Sequence, residues 1–284
     1  MPLLTTAQLL PNLGGQRAGI SALTFLKIDP SVRSAAMGGA NLTLTGDVFA
    51  SSWNPAGLAE EEQFSVGLSN TFWSAGINNS FVAATVPTNV GQFGLNITSL
   101  NSGPMERRTE FQPNGTGEIF YASNTAVGIS FGRRLTDFFS LGGTIKYVNE
   151  SLAEFTAHTA VFDLGFLYRT DVRDPSFAVM IQNFGTNSRL SGDFQPVGIN
   201  PQVVTLEDFP APTVFKIGVS MVPWKTEDMS LTTAIQLNHP SDNAENIRSG
   251  LEYEYRKLIY LRAGYKINVP DQDLPTGGFG VRAR

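Results

Sequence analysis

Two histidines, His158 and His239, and no cysteine make up the soft ligands and thiols of the 284-residue chain. Thiolate metal sites, disulfides and cysteine nucleophiles are excluded, and little is left for zinc or Ser-His chemistry. The carboxylates offer more. Asp271 and Asp273, with Asp242 nearby, could suggest calcium, but they fall in separate turns without the ligand ladder of a calcium loop, and turn chemistry explains them better. Glu252 and Glu254 share a face with Arg248 and Arg256, where cross-strand charge pairing is a simpler account than general acid–base work. No catalytic residue, metal site or cofactor is expected. A net charge of −5 has the wrong sign for neutralising phosphates, so no nucleic-acid partner is expected either.

The elements that carry these residues are strands. Charged residues are 16% of the chain, below the ~25% of ordinary soluble domains. Hydrophobic residues, at 42%, do not compensate with a large dry core. The longest apolar run, Phe177 to Ile181, is far short of the roughly 20 residues of a membrane helix. From Phe64 onward, apolar residues recur with a period of two. Phe93, Leu95 and Ile97 oppose Gly94, Asn96 and Thr98; Phe162, Leu164, Phe166 and Tyr168 oppose Asp163, Gly165 and Arg169; Leu261, Ala263 and Tyr265 oppose Arg262 and Lys266. Twelve such runs, most of 8 to 10 residues, span 64–284.

Sorting charges by face separates two architectures. The polar face carries Lys146, Asp163, Lys216, Arg248, Glu252, Glu254, Arg262 and Lys266, with Arg134, Arg169, Arg256, Arg282 and Arg284 towards run ends; the apolar face carries only Arg133. A soluble sandwich would hide the apolar face, but its strands usually run to about 5–6 residues. A membrane barrel turns that face to lipid and encloses the charges in a polar lumen. Loop lengths support the barrel. Connections after the even-numbered runs are short, those after the third and seventh (99–123 and 184–212) are long, and those after the first, fifth, ninth and eleventh are intermediate, at 7 to 11 residues. Short turns on one rim and long loops on the other are the asymmetry of outer-membrane barrels. Trp73, Phe138, Phe139, Trp224, Tyr255 and Tyr260 fit interfacial girdles, although each alone could be a core aromatic.

The N-terminal part does not alternate. Residues 1–8 read as the remnant of a signal peptide, or equally as a disordered terminus. Residues 9–61, with clusters of small residues, suit a compact segment inside the barrel, and 62–284 form the barrel itself.

Several motifs in that segment resemble a known family. Asn12-Leu13-Gly14-Gly15-Gln16-Arg17-Ala18-Gly19, Ala35-Ala36-Met37-Gly38-Gly39-Ala40 and Trp53-Asn54-Pro55-Ala56-Gly57-Leu58 resemble the N-terminal region of PorV/PorQ-type outer-membrane proteins, and the last is shared with FadL-like barrels. The resemblance implies an all-β, transmembrane antiparallel barrel of 14 strands with an N-terminal plug, of which about 12 strands are present here. The closing C-terminal hairpin is expected to be missing. It also implies the outer membrane of a Gram-negative, Bacteroidetes-like bacterium, with membrane lipid as surroundings. The implied role is in type IX protein secretion or surface attachment, binding the C-terminal signal domains of secreted cargo or a large translocon or attachment subunit. The alternative is passive uptake of hydrophobic compounds, as in FadL-like transporters; Val161, Leu167, Met180 and Val214 could line such a route or pack against the plug. A soluble β-protein without transport is the third reading.

Overall fold

The computed structural model describes residues 19–170, 175–192, 206–269 and 274–283. Residues 1–18, Asp271, Asp273, Arg284 and the centre of the 184–212 connection lie outside the described residues.

Strands β1 (Ser65–Phe72), β2 (Asn78–Thr88) and β3 (Gly91–Asn101) begin one large sheet, and a small separate hairpin, β4 (Met105–Glu106) and β5 (Ile119–Phe120), interrupts the third connection. The sheet continues through β6 (Ala122–Arg134), β7 (Phe139–Leu152), β8 (Phe155–Arg169), β9 (Ser176–Gly185) and β10 (Val214–Lys225). It ends with β11 (Met229–Pro240), β12 (Asn246–Tyr255), β13 (Ile259–Ile267) and β14 (Thr276–Val281). All twelve strands pair antiparallel in sequence order, and among the described residues no ladder joins β1 to β14. Several strands are longer than the alternating runs suggest, reaching 15 residues in β8, while β14 has six.

Alternation translates directly into two faces, because successive side chains of a strand point to opposite sides. On the outer face Leu68, Ile129 and Ile145 are 75%, 63% and 70% exposed, and Phe162, Leu164, Leu261 and Tyr265 are exposed beside them. On the inner face Ser130, Thr144 and Lys146 are at most 6% exposed. An apolar face this extensive is unstable in water and suits a hydrocarbon solvent.

The inner face is covered by residues 19–63, which hold helix α1 (Val32–Ala36), helix α2 (Ala50–Trp53) and 3-10 turns at Thr24–Lys27 and Pro55–Glu60. The buried apolar clusters lie between this plug and the wall. Leu23 and Phe25 meet Ala126, Val148 and Val161, while Leu42 and Ala56 meet Leu167 and Met180. Val161, Leu167 and Met180 thus pack against the plug.

Three expectations are corrected. The fifth main-sheet connection is not intermediate but two residues, Ala153 and Glu154, because β7 and β8 stay paired to Leu152 and Phe155 and Ala153 turns with φ 52°. The first and ninth are five residues each, 73–77 and 241–245. Tyr260 is not an interfacial aromatic: it shares parity with Arg262, is buried on the inner face, and lies under the Arg262 and Arg282 guanidiniums at 5.1 and 5.8 Å. Arg256 leaves the inner face as well, since it sits with φ 52° in the β12–β13 turn and donates to Asp228.

Candidate functional site

The plug folds locally through caps. Ser31 Oγ accepts from the Ser34 N–H at 3.3 Å and starts α1. Asn54 Oδ1 accepts from Ala56 N–H at 3.1 Å while its Nδ2 donates to the Leu42 carbonyl at 2.8 Å, and Pro55 occupies the first position of the following turn. Trp53 Nε1 donates to the Leu44 carbonyl at 3.2 Å. The Trp53–Leu58 motif is therefore a clasp that folds 50–60 back onto 42–44, and its members Trp53, Asn54, Pro55, Ala56, Gly57 and Leu58 are all buried.

The wall accommodates this clasp with glycine. Gly132, Gly142 and Gly165 are cross-strand neighbours on β6, β7 and β8. A Cβ on Gly132 would come within 2.6 Å of the Pro55 carbonyl oxygen, and Cβ atoms on Gly142 and Gly165 would overlap Pro55 and Asn54. Glycine weakens a strand interior, so three abreast mark a place where another backbone must approach. A second pair, Gly250 and Gly264, makes the same room for Met37 and Gly38. Gly39 lies against the Arg248 side chain.

Wall amides satisfy the plug's peptide groups. Gln236 Oε1 accepts from the N–H groups of Asn41 and Leu42 at 3.2 and 3.0 Å, and Gln182 Nε2 donates to the Ser52 carbonyl at 2.9 Å. Asn183, with φ 56° at an irregularity in the β8–β9 ladder, donates to the Leu26 carbonyl at 3.4 Å. Gln182 and Gln236 share the inner parity of their runs while Asn183 lies one residue past its run, and polarity alone does not distinguish a lumenal amide from one that clamps a peptide.

The inner charges fall into separate groups. Lys146 and Asp163 pair at 2.6 Å, with Asn183 Oδ1 accepting from Lys146 and the Asn183 N–H donating to Asp163, both at 2.8 Å. Glu252 receives Arg33 of the plug at 2.7 and 2.9 Å and Arg262 at 2.6 Å. Glu60 of the plug holds Arg134 at 2.8 Å and Arg169 at 2.9 Å on the short-turn rim. Lys27 reaches Asp242 at 2.6 Å on the other rim. Glu254 lies across from Tyr260, and Lys266 across from Arg248. The histidines are elsewhere: His158 meets Tyr147 on the outer face and His239 meets Glu245.

Lys216 and Arg248 differ from the rest. They face a cavity of about 260 Å³ between the plug and β10–β12, whose apolar wall is Leu26, Ile28, Pro30, Trp53 and Val214. The cavity reaches Pro240, Asn243 and Val269 near the rim that carries the long connections. Asp29 also lines it, but its carboxylate already accepts from the Ser31 N–H, the Ser34 hydroxyl and Asn41 Nδ2. Burial pushes the Asp29 carboxyl above its ordinary value, against the opposing pull of those hydrogen bonds and of the two cations.

Solved structures share this fold. The toluene transporter TbuX of Ralstonia pickettii superposes with a TM-score of 0.52 at 14% identity, covering 89% of this chain and 87% of that one. The toluene transporter TodX of Pseudomonas putida gives 0.51 at 14% over 83% of both chains. The monoaromatic hydrocarbon channel CymD gives 0.53 at 12% over 95% and 90%. The fold is that of the FadL-like barrels. No protein-family model matches the sequence, and no curated protein matches it significantly. At these identities the likeness establishes architecture, and function has to be argued from the site.

Proposed function

We propose that the protein is a plugged outer-membrane barrel of a Gram-negative bacterium that admits a small, largely apolar compound passively. The observation that carries this reading is the cavity, an amphipathic chamber between plug and wall with one side reaching the long-loop rim. The names of TodX, TbuX and CymD, two toluene transporters and a monoaromatic hydrocarbon channel, support it. The exposed apolar outer face supports the membrane setting, as does a depression of about 1,040 Å³ on it between Phe93, Val127, Ile145 and Phe162, which suits acyl chains. Accumulation of radiolabelled toluene by cells carrying the full-length protein in their outer membrane tests the reading. Uptake should be faster than in cells without it, and equal rates would overturn the proposal.

A second reading has its own support. The plug is clamped on several sides by ion pairs, amides and glycine contacts, as suits a binding scaffold of type IX secretion more than a conduit. Its loops at 99–123 and 184–212 would then engage secreted cargo signal domains or a large translocon or attachment subunit. Affinity purification of the detergent-solubilised protein from a Bacteroidetes-like host distinguishes the two, since a scaffold retains such partners and a channel does not.

A further inference from the structure

The outer face changes character along a single line across β2, β3 and β6–β8. Ser80, Ser99, Thr125, Asn149 and His158 are cross-strand partners in one row. One row nearer the short-turn rim the partners are Val82, Ile97, Val127, Tyr147 and Ala160. On β7 the outward residues from Phe139 to Tyr147 are apolar or glycine, a length of about nine residues, which is what a tilted strand needs to cross hydrocarbon. Asn149 and Ser151 therefore stand at the level of the lipid headgroups, on the long-loop side. Apart from His158, neither this row nor the next one up (Asn78, Asn101, Ser123, Ser151 and Thr156) holds an ionisable side chain. A phosphate or an amine finds little opposite charge there, whereas a hydroxyl finds donors and acceptors. The side chains of Thr125, Asn149 and Ser151 make no hydrogen bond among the described residues.

Directly below this row lies the depression of about 1,040 Å³. It is lined by the small outward residues Gly143 and Ala160 together with Phe93, Ile129, Ile145 and Phe162. The plug imposes glycine at position 142 but not at 143, where a Cβ would meet only the Asp163 carbonyl oxygen at 3.5 Å, an ordinary contact. The room on the lipid side is thus not a by-product of packing. Tyr147 joins the two regions: it lines the depression, and its hydroxyl lies 3.2 Å from His158 Nδ1 with the two rings stacked at 6.1 Å. Acyl chains are as apolar as the depression, so the depression alone does not choose among lipids, and the choice falls to the hydrogen-bonding row above it.

We propose that this face binds an uncharged glycolipid of the outer leaflet, one acyl chain in the depression and the sugar against Tyr147, Asn149 and His158. A sugar suits the row because its hydroxyls both donate and accept, and Tyr147, apolar in body and polar at its tip, spans the boundary between chain and headgroup. The assignment rests on the outer-membrane setting with the long-loop rim outward, and it needs no solute to pass through the barrel.

Native mass spectrometry of the full chain tests this, after reconstitution in phosphatidylethanolamine vesicles that contain equal small fractions of glucosyl-diacylglycerol and diacylglycerol with the same acyl chains. One glucosyl-diacylglycerol should stay on each chain, enriched about tenfold or more over diacylglycerol and over phosphatidylethanolamine relative to their shares of the vesicle, the combined effect of two or more hydrogen bonds. Asn149→Ala and His158→Ala should each lower retention about fivefold, as expected for the loss of one hydrogen bond. Gly143→Leu fills the depression from a position with room for a side chain and should abolish retention. The comparison among lipids is made on the wild-type chain and survives any folding defect in a variant. Equal or no retention of the two diacyl lipids, preference for phosphatidylethanolamine, or undiminished retention in Gly143→Leu or in both alanine variants would overturn the assignment. So would a lipid-free pair of chains, which would make this face a contact between copies. Toluene uptake without glycolipid retention would sink this inference alone, whereas retention without uptake would sink the transport reading and leave the site standing.

Discussion

The plug meets its wall in two different ways. Against β6–β8 it lies backbone to backbone: Pro55 and Asn54 sit on Gly132, Gly142 and Gly165, and the charged contact, Glu60 with Arg134 and Arg169, lies at the rim. Against β10–β13 it comes as close at Gly250 and Gly264, where Met37 and Gly38 sit, but Arg33 on Glu252 adds an ion pair and a cavity lined by Asp29, Lys216 and Arg248 opens alongside. The first contact is strong in proportion to how closely the surfaces fit. The second depends as well on each charge keeping its partner, and it is the side with room beside the plug.

The comparison can be broken most severely at Glu252. Glu252→Gln leaves the buried guanidiniums of Arg33 and Arg262 facing each other, and loss of one partner of a buried ion pair should cost about 3 kcal/mol. Limited proteolysis should then cut within 20–60, and an uncut plug would show that the glycine contacts hold it without the ion pair. Next comes Gly142→Ala, which forces Pro55 off the wall and should cost about 2 kcal/mol by overpacking, read as a lower denaturation midpoint in detergent. An unchanged midpoint would mean that the close approach is not what secures that side.

Acid separates the carboxylates by sign. Burial pushes up Asp47, as it does Asp29, outweighing the Phe49 N–H and Arg33 that pull Asp47 down. A raised carboxylate makes the folded state bind its proton more tightly, so acidification towards the carboxylate range should first strengthen plug docking. Burial also pushes Asp242 up, but hydrogen bonds from Lys27 and Ser21 outweigh it and leave Asp242 below 3.8. Its contribution is complete above that ordinary value and is lost as pH falls through the depressed one. Protease resistance of the plug should therefore rise and then fall on acidification. Asp29→Asn should flatten the rise and Asp242→Asn the fall; a monotonic loss from neutral pH would contradict the assignment. The smallest effect is expected for Arg134→Ala. Arg134 is solvent-accessible and Glu60 keeps Arg169, so the cost should be about 1 kcal/mol or less, measured as the same midpoint.

How much of this was legible varies with the range of the interaction. The twelve-strand sheet and its two faces follow from alternation, because parity along a strand assigns each side chain to a face whatever else the chain does. Misplacements occurred where a residue sat at the end of that logic. Tyr260 has an aromatic side chain suited to an interface but inner-face parity, and Arg256 lies one residue past its strand. The glycines of the polar face were equally visible, but nothing local says that Gly132, Gly142 and Gly165 stand abreast, since that depends on register between strands.

By itself the sequence determined the strands, their parity and the lack of any thiol, all consequences of residue type and a period of two. Tertiary structure alone decided which inner charges are satisfied, because the partners are remote: Lys27 finds Asp242 and Arg33 finds Glu252 across separations of 215 and 219 residues. Only when those pairings are in place do Lys216 and Arg248 stand out, among the described residues, as inner-face cations without a carboxylate at ion-pair distance.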